Sequence, residues 1–346
     1  MRIAIVNDLS IAIEAIRRVL VPAGHEIAWV ARTGVEAIKK CARDTPDLIL
    51  MDLIMPEMDG AEATRRIMAE SPCPILVVTA LVEGHQERVF EALGAGALDA
   101  VKTPVLGATD SQGPAMLLNK IDMLGRRINA PTRTQTLPSL LVPTDSIAAK
   151  RKQLVAIGAS AGGPIALVEI LGSLPEDFPA AIVIIQHVDA QFTQGLADWL
   201  SQHSRLPVRL AYEGDKPAAG TVLMASTSDH LVFLNADTLG YTSDPVDAIY
   251  RPSVDVFFKS VAKHWRGKVA AVLLTGMGRD GAKGLKVLRE AGHHTITQNR
   301  ATSAVYGMPQ AAATLEAAVE ILPLNQIGAA LQRIFIPPSL KPATTL

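Results

Sequence analysis

The chain has 346 residues, of which 49% are apolar and 19% are charged, and its formal net charge is −1. This length predicts two domains, each able to bury its own core. The near-neutral charge excludes a general electrostatic attraction to nucleic acid or to an anionic membrane. The only cysteines, Cys41 and Cys73, exclude a disulfide scaffold and a cysteine-rich metal site, and they favour a reducing cytosol.

Residues 1–128 alternate strand-like and helix-like segments and predict a first domain. The expected strands are Ile3–Val6, Ile27–Ala31, Leu48–Met51, Ile75–Val78 and Ala97–Val101. The expected helices are Ile11–Leu20, Val35–Ala42, Ala61–Ala69, Gln86–Leu93 and Leu117–Ile128. Five such units predict an α/β fold with a doubly wound parallel sheet, covered by helices on both faces.

Residues 129–151 are rich in proline, threonine and serine and predict a linker, whereas residues 336–346 resemble a disordered tail. A second α/β domain with a doubly wound parallel sheet is expected over residues 152–335. Its predicted strands are Leu154–Ile157, Ala181–Gln186, Val222–Met224, Leu231–Leu234, Val269–Leu274 and Thr295–Thr297. Its predicted helices include Ile165–Leu171, Val254–Lys263 and Ala282–Glu290. Residues 222–242 contain short strands and turn residues, which suggests an antiparallel insertion.

No apolar stretch reaches the roughly 18 residues of a membrane span. Polar residues follow the first apolar segment too early for a signal peptide. We therefore expect a cytoplasmic protein that does not insert into a membrane.

In the first domain, polar residues follow several of the predicted strands. Asp8 follows strand one and Asp52 follows strand three, while Thr79 and Lys102 end strands four and five. Each of them alone would more simply be a solvated strand end. As a set at one pole of the sheet, they suit a hard divalent ion such as Mg²⁺ together with a phosphoryl group. Asp52 would be the nucleophile that accepts the phosphoryl group.

Several segments of this first domain resemble the receiver domain of two-component response regulators. They are Asn7-Asp8, residues 51–60 (MDLIMPEMDG), Val78-Thr79-Ala80 and the X-Pro bond at Pro104. The resemblance implies that Asp52 is phosphorylated by a histidine kinase and that Asp8, Asp52 and the Ile54 carbonyl hold Mg²⁺. It also implies that Thr79 and Lys102 sense the phosphoryl group.

The chain departs from the receiver pattern at three positions. Asn7 replaces the first of two acidic residues, and Ala100 stands where many receivers have an aromatic residue. Thr103 occupies the usual lysine position before proline, and the lysine is Lys102. A shift of one residue turns a strand side chain to the other face, so Lys102 reaches the phosphoryl group only if the backbone bulges.

In the second domain, Gly158-x-Ser160-x-Gly162 follows an apolar strand and precedes a helix-like segment. This pattern fits a nucleophile elbow, in which a tight turn lifts a serine hydroxyl out of the sheet. A phosphate cradle or simple close packing would also explain a glycine-rich turn at this place. A dinucleotide site is disfavoured, because serine replaces the second glycine of that motif.

A serine nucleophile needs a base and a carboxylate, and both are found after predicted strands. His187 directly follows one apolar strand, and Asp280 lies in a glycine-rich turn after another. Alone, His187 would be a structural histidine, and Asp280 would be the N-cap of the helix that follows it. The order Ser160, His187, Asp280 differs from the serine, acid, histidine order of α/β-hydrolases.

This domain is similar to the catalytic domain of chemotaxis-type protein-glutamate methylesterases. The matching segments are residues 157–164, 186–187, 250–255, 275–281 and 306–309. The resemblance implies a triad of Ser160, His187 and Asp280 with Met277 beside it, no cofactor for the esterase, and methylated chemoreceptors as partners. Hydrolysis of glutamate γ-methyl esters and deamidation of glutamine would follow. Ala161 and the segment Ala225-Ser226-Thr227-Ser228 depart from the family pattern.

Two other functions remain open at this point. One is a response regulator that binds the receptor as an adaptor without hydrolysing it. The other is a DNA-binding output domain, which the neutral charge and the lack of a helix-turn-helix pattern disfavour. Asn7 and the shifted lysine are similar to a surface-sensing, Wsp-type branch, which acts on a receptor that feeds cyclic-di-GMP synthesis.

Overall fold

A computed structural model describes residues 1–79, 86–104, 112–125 and 152–336. These residues form two separate parallel sheets, and we call each sheet, with the helices that connect its strands, a unit. The predicted linker, the tail beyond Ile336 and Ala80 of the receiver pattern lie outside the described residues. Within the described ranges, no helix has the length and hydrophobicity needed to cross a bilayer.

The first unit contains a five-stranded sheet in the order β2-β1-β3-β4-β5, and all of its strand pairs are parallel. Its strands are β1 (Arg2–Val6), β2 (Glu26–Ala31), β3 (Leu48–Met51), β4 (Ile75–Thr79) and β5 (Asp99–Lys102). Its helices are α1 (Ser10–Leu20), α2 (Gly34–Arg43), α3 (Gly60–Glu70), α4 (Gln86–Gly94) and α5 (Gln112–Gly125). The predicted doubly wound architecture is confirmed.

The order of these strands creates a crevice next to β1. The chain runs from β1 to β2 on one side and then returns to β3 on the other side. Ligands of doubly wound sheets bind where the direction reverses, at the carboxyl ends of the strands. Asn7 and Asp8 follow β1 and Asp52 follows β3, so all three residues lie at this crevice.

The second unit contains a seven-stranded sheet in the order β14-β13-β12-β6-β7-β9-β8, again parallel throughout. Its strands are β6 (Gln153–Ala159), β7 (Ala181–Gln186), β8 (Val208–Leu210), β9 (Val222–Met224), β12 (Lys268–Leu273), β13 (His294–Gln298) and β14 (Glu320–Leu322). Its helices are α6 (Gly163–Ser173), α7 (Thr193–Gln202), α8 (Val254–His264), α9 (Ala282–Glu290), α10 (Met308–Thr314) and α11 (Leu324–Phe335). The direction of winding reverses at β6, which lies between β7 and β12.

The expectation of an antiparallel insertion over residues 222–242 is wrong for its first part. The strand β9 pairs in parallel with both β7 and β8 and is fully buried within the main sheet. Only β10 (His230–Phe233) and β11 (Leu239–Thr242) form an antiparallel hairpin. A three-residue apolar strand has too few side chains to show whether one or both of its faces are covered.

A glycine in β6 allows α8 to approach the sheet. A Cβ atom at Gly158 would lie 2.2 Å from Cγ1 of Val254, in the first turn of that helix. Below this turn, Phe257, Phe258 and Val261 of α8 are buried in the hydrophobic core. The close approach brings the N-terminus of α8 to the carboxyl edge of the sheet.

Candidate functional site

The predicted nucleophile, Ser160, lies in the short turn between β6 and α6. β6 ends at Ala159 and α6 begins at Gly163, where the main-chain N–H donates to the Ser160 carbonyl at 2.7 Å. Gly162 has a φ of 74°, in the left-handed region that glycine adopts without steric cost. Ser160 is thus held in the strand-turn-helix context that a nucleophile elbow requires.

The strand register places His187 beside Ser160. β6 and β7 are parallel neighbours, with Ala159 opposite Gln186, and each candidate residue directly follows one of these positions. The His187 N–H donates to the Ala159 carbonyl at 3.0 Å. Because neighbouring strands lie about 4.8 Å apart, the two residues are adjacent at the carboxyl edge of the sheet.

Asp280 binds the imidazole of His187. The distance from His187 Nε2 to Asp280 Oδ2 is 2.9 Å, and since a carboxylate only accepts, Nε2 carries the hydrogen. Nδ1 is buried and has no hydrogen-bond partner among the described residues. In particular, the Ser160 hydroxyl does not donate to it in this structure. The lone pair of the neutral ring is therefore on Nδ1, the nitrogen available to act as a base.

Asp280 also caps a helix, although a different helix from the one expected. It accepts hydrogen bonds from the main-chain N–H groups of Val254 (2.7 Å) and Asp255 (3.0 Å), at the start of α8. The expected partner was α9, but the N-cap of α9 is Gly281, with a φ of 84° and no side-chain cap. The sharp turn at Gly281 directs the Asp280 side chain away from α9 and towards α8.

These contacts determine the charge of Asp280. Burial acts to raise the pKa of its carboxyl, but the hydrogen bond from His187, the positive charge that its ring carries when protonated, and the two main-chain N–H donors outweigh burial, so the pKa is lower than usual. The helix dipole of α8 favours a negative charge at the same position. Asp280 is therefore ionised at neutral pH and able to stabilise a positive charge on His187.

Two further residues support Asp280, and the sequence analysis gave neither of them a role. The Ser253 hydroxyl donates to Asp280 Oδ1 at 2.8 Å, and the Ser253 N–H donates to Nδ1 of His230 at 3.0 Å. His230 is fully buried, and its Nε2 donates to the Pro245 carbonyl at 3.2 Å. Ser253 precedes an apolar helix, which is a recognisable N-cap signal, but nothing in the sequence indicates its contact with Asp280.

An aromatic ring covers the imidazole of His187. The Tyr250 ring lies parallel to it, with an interplanar angle of 1° and 4.5 Å between ring centroids. Gly278 makes room for this tyrosine, since a Cβ atom there would lie 2.4 Å from the Tyr250 hydroxyl oxygen. Met277, next to Gly278, is buried in the turn that leads to Asp280. The stack fixes the plane of the imidazole and faces a π-system towards any positive charge that forms on it.

We expect Tyr250→Leu to lower kcat for ester hydrolysis about fivefold, the effect of losing an aromatic pair worth about 1 kcal/mol. Tyr250→Phe keeps the stacked ring, so its kcat should stay within about twofold of the wild-type value. Steady-state kinetics of the two variants on one ester substrate make the comparison. Equal activity of the leucine variant and wild type would show that the stack does not position His187.

In the first unit, Asp52 is buried and tied to its neighbours. Asn7 Nδ2 donates to Asp52 Oδ2 at 2.9 Å, and the Leu53 N–H donates to Oδ1 at 2.7 Å. Burial, together with the charge of Asp8, raises the pKa of Asp52 to about 6, despite hydrogen bonds from main-chain N–H groups and from Thr79. Asn7 therefore stabilises the carboxylate by a hydrogen bond without adding a negative charge.

The oxygen atoms at this crevice fit a divalent cation. Carboxylate and carbonyl oxygens are the ligands that Mg²⁺ prefers, and Asp8, Asp52 and the Ile54 carbonyl follow the strands that meet here. Since burial disfavours the ionised form of Asp52, a cation beside it would offset this cost. The described residues contain no cluster of three or more histidine, cysteine, aspartate or glutamate side chains that could hold a metal. A cation at this crevice would therefore have only the carboxylates of Asp8 and Asp52 and the carbonyl of Ile54 as protein ligands.

The end of β5 differs from the arrangement that would bring Lys102 to the phosphoryl group. β4 and β5 pair without a bulge, with Thr79 opposite Lys102, and the lysine side chain is exposed. Thr103 is buried, and its hydroxyl has no hydrogen-bond partner among the described residues. The condition for a contact between Lys102 and the phosphoryl group is not met here, and its sensing role stays a prediction.

Comparison with known proteins covers both units. Residues 155–331 match the CheB methylesterase family and residues 3–108 match the response regulator receiver domain. A protein-glutamate methylesterase/protein-glutamine glutaminase of Mesorhizobium japonicum is 57% identical over 334 residues, which is 95% of this chain and 97% of that protein. One from Pseudomonas fluorescens is 55% identical over 338 residues, which is 97% of this chain and 99% of that protein.

A solved structure supports the match of the second unit. The catalytic domain of the Thermotoga maritima CheB methylesterase aligns with a TM-score of 0.51 and 34% identity, over 53% of this chain and 98% of that chain. The chain therefore belongs to the CheB methylesterase family, as a member that combines a receiver domain with a methylesterase domain.

Proposed function

We propose that this protein hydrolyses glutamate γ-methyl esters on a chemoreceptor and deamidates receptor glutamine, with Ser160, His187 and Asp280 as its catalytic triad. The hydrogen bond of 2.9 Å between His187 and Asp280, beside Ser160 at the point where the sheet reverses, carries the proposal. The names of the relatives, over almost the whole chain, support both the ester and the amide substrate.

In the proposed mechanism, the Ser160 hydroxyl attacks the ester carbonyl and passes its proton to Nδ1 of His187. Asp280 holds Nε2–H and stabilises the imidazolium. Main-chain N–H groups of the turn between β6 and α6 stabilise the oxyanion. The C–O bond then breaks, and methanol leaves with the proton from Nδ1. Water, activated by His187, releases glutamate from Ser160, and ammonia replaces methanol when the substrate is glutamine. The triad supplies both acid and base, so the proposal includes no cofactor for this unit.

The receiver would control this reaction. A histidine kinase is proposed to phosphorylate Asp52, with Mg²⁺ held by Asp8, Asp52 and the Ile54 carbonyl, and with Thr79 sensing the phosphoryl group. Lys102 would join Thr79 only if the end of β5 rearranged on phosphorylation. The cation would neutralise charge between carboxylate and phosphoryl oxygens.

The proposed boundaries are a receiver at 1–128, a linker at 129–151, a catalytic domain at 152–335 and a tail at 336–346. We place the protein in the cytoplasm, where such kinases and the receptor glutamates would meet it.

Release of methanol by the full chain from methylated chemoreceptor, with and without acetyl phosphate and Mg²⁺, tests the proposal. We expect the phosphodonor to raise the rate about tenfold, a coupling of about 1.4 kcal/mol between the two sites. Asp52→Asn should keep the basal rate and lose the increase. Because burial disfavours ionised Asp52, the amide should leave the melting temperature unchanged or higher.

Two results would contradict parts of this proposal. If wild type releases no methanol with or without the phosphodonor, the esterase assignment fails. If acetyl phosphate stimulates Asp52→Asn as strongly as wild type, Asp52 is not the site that controls the activity.

A further inference from the structure

A loop between β11 and α8 exposes two large aliphatic side chains. We name residues 244–249 the rim loop. Ile249 is 92% exposed, more than any other large apolar side chain of the described residues, and Val246 is 66% exposed. Single exposed aliphatic residues are common on protein surfaces. Two of them within four residues, next to the candidate site, need a more specific explanation.

The rim loop is anchored at both of its ends. The Pro245 carbonyl accepts hydrogen bonds from His230 Nε2 and from the Ala248 N–H, both at 3.2 Å. Just after the loop, Arg251 forms an ion pair with Asp229 at 2.8 Å and donates to the Ser228 carbonyl at 3.2 Å. These contacts hold the backbone on each side of Val246 and Ile249 and keep both side chains directed to solvent.

The rim loop is continuous with the candidate site. Ile249 directly precedes Tyr250, whose ring stacks on the imidazole of His187. Successive Cα atoms are only about 3.8 Å apart, so Ile249 lies at the border of the site. A glutamyl side chain places its ester carbon about 4 Å from its own Cα, because only three carbon–carbon bonds of about 1.5 Å intervene. A polypeptide that presents such an ester to Ser160 must therefore pass close to the border of the site.

From these observations we infer that Val246 and Ile249 form the docking surface for the polypeptide segment that carries the esterified glutamate. The inference rests on the proposed function and specifies how the protein substrate is recognised. The segment would place an aliphatic side chain against Ile249. Asp244 and Asp247 are also exposed on the rim loop, so residues that flank the ester would be basic or neutral rather than acidic.

Ile249→Ser in the full chain tests this docking surface with two substrates. One is methylated chemoreceptor, and the other is the small soluble ester N-acetylglutamate γ-methyl ester. We expect KM for the receptor to rise about tenfold with kcat unchanged, the size of effect seen when one aliphatic contact is removed from an interface. For the small ester, kcat/KM should equal that of wild type, and Ile249→Leu should restore the receptor KM.

Leu315→Ser is the matched control. Leu315 is also a partly exposed aliphatic residue, but it lies just beyond α10, close to the start of β13, where Val319 donates to the Thr295 carbonyl. This position is at the opposite edge of the sheet from the candidate triad. We expect Leu315→Ser to leave both substrates unaffected.

Three outcomes would overturn the inference. The first is a receptor KM of Ile249→Ser equal to that of wild type. The second is an equal loss of activity on the small ester, which would show that the loop supports the triad instead of binding the polypeptide. The third is a change in sedimentation coefficient between the variant and wild type, which would assign the loop to contact with a second copy. Failure of wild type to release methanol from receptor would instead refute the proposed function, and no variant is needed to see it.

Discussion

Replacing Ser160 by alanine is expected to reduce methanol release from methylated receptor by at least about 10⁴-fold, to the background that remains when a triad nucleophile is removed. The variant lacks the oxygen atom that would form the acyl-enzyme, and no step of the proposed mechanism avoids this bond. Methanol release and receptor binding are to be measured on the same preparation. If Ser160→Ala no longer releases methanol but still binds the receptor, the protein is an enzyme and not a non-catalytic adaptor.

Ser173→Ala is a suitable control for this experiment. The Ser173 hydroxyl donates to the Ile170 carbonyl at 2.6 Å, at the end of the same helix that follows Ser160. Removing it alters one hydrogen bond of the helix and no group of the candidate triad, so we expect full activity. Methanol release by Ser160→Ala at the rate of Ser173→Ala would refute the assignment of the nucleophile.

Asp280→Asn is expected to lower kcat by about 10³- to 10⁴-fold while substrate binding stays close to wild type. The asparagine amide can donate to Nε2 of His187, which moves the ring hydrogen to Nδ1. Nδ1 is the nitrogen that the structure leaves available as a base, so the base is lost. The imidazolium also loses its negatively charged neighbour.

Stability should change in the same variant for a separate reason. The pKa of Asp280 is lower in the folded protein than its ordinary value of 3.8, so its charge stabilises the fold at neutral pH and this stabilisation is lost as pH falls through the folded pKa. Asparagine lacks the charge at every pH. We therefore expect the variant to have a lower melting temperature than wild type at neutral pH. The difference between the two melting temperatures should become smaller as the pH falls.

Ser253→Ala separates the chemical role of Asp280 from its structural role. It removes the hydroxyl that donates to Asp280 Oδ1 but leaves the contact with His187 in place. We expect kcat to fall by less than about tenfold, because the net value of one hydrogen bond to a charged group is about 1.5–3 kcal/mol and only part of it bears on the reaction. Equal losses of kcat in Ser253→Ala and Asp280→Asn would contradict a direct role of the Asp280 charge in the reaction.

Most of the sheet could be predicted from local pattern. The predicted bounds of β3, β7 and β9 agree with the structure residue for residue, because each is an apolar run bounded by polar or turn residues. The short strands β8 and β14 could not be predicted in this way, because each has three residues of which one is charged, whereas the three residues of β9 are all apolar. The helix α10 has seven residues, too few to show a period. The helix α11 was overlooked, although its buried side chains Leu324, Ile327 and Leu331 follow a helical spacing.

The candidate site was predictable in its members but not in its contacts. Ser160, His187 and Asp280 each follow a strand, and parallel strands bring their carboxyl ends to one edge. The stack of Tyr250 on His187 and the support of Asp280 by Ser253 depend on where α8 lies. The first turn of α8 reaches the sheet because Gly158 has no side chain there. Gly158 and α8 are far apart in the chain, so this packing contact could not be predicted from local pattern.

The amino-acid sequence by itself determined that the chain forms two parallel α/β sheets and that its reactive residues lie at their carboxyl edges. Local hydrophobic period and chain order encode both properties. Only the tertiary structure decided which imidazole nitrogen faces Asp280, which helix Asp280 caps, and that Lys102 at the end of an unbulged strand is exposed. These outcomes depend on distances of a few ångströms between segments far apart in the chain, and local pattern carries no information about them.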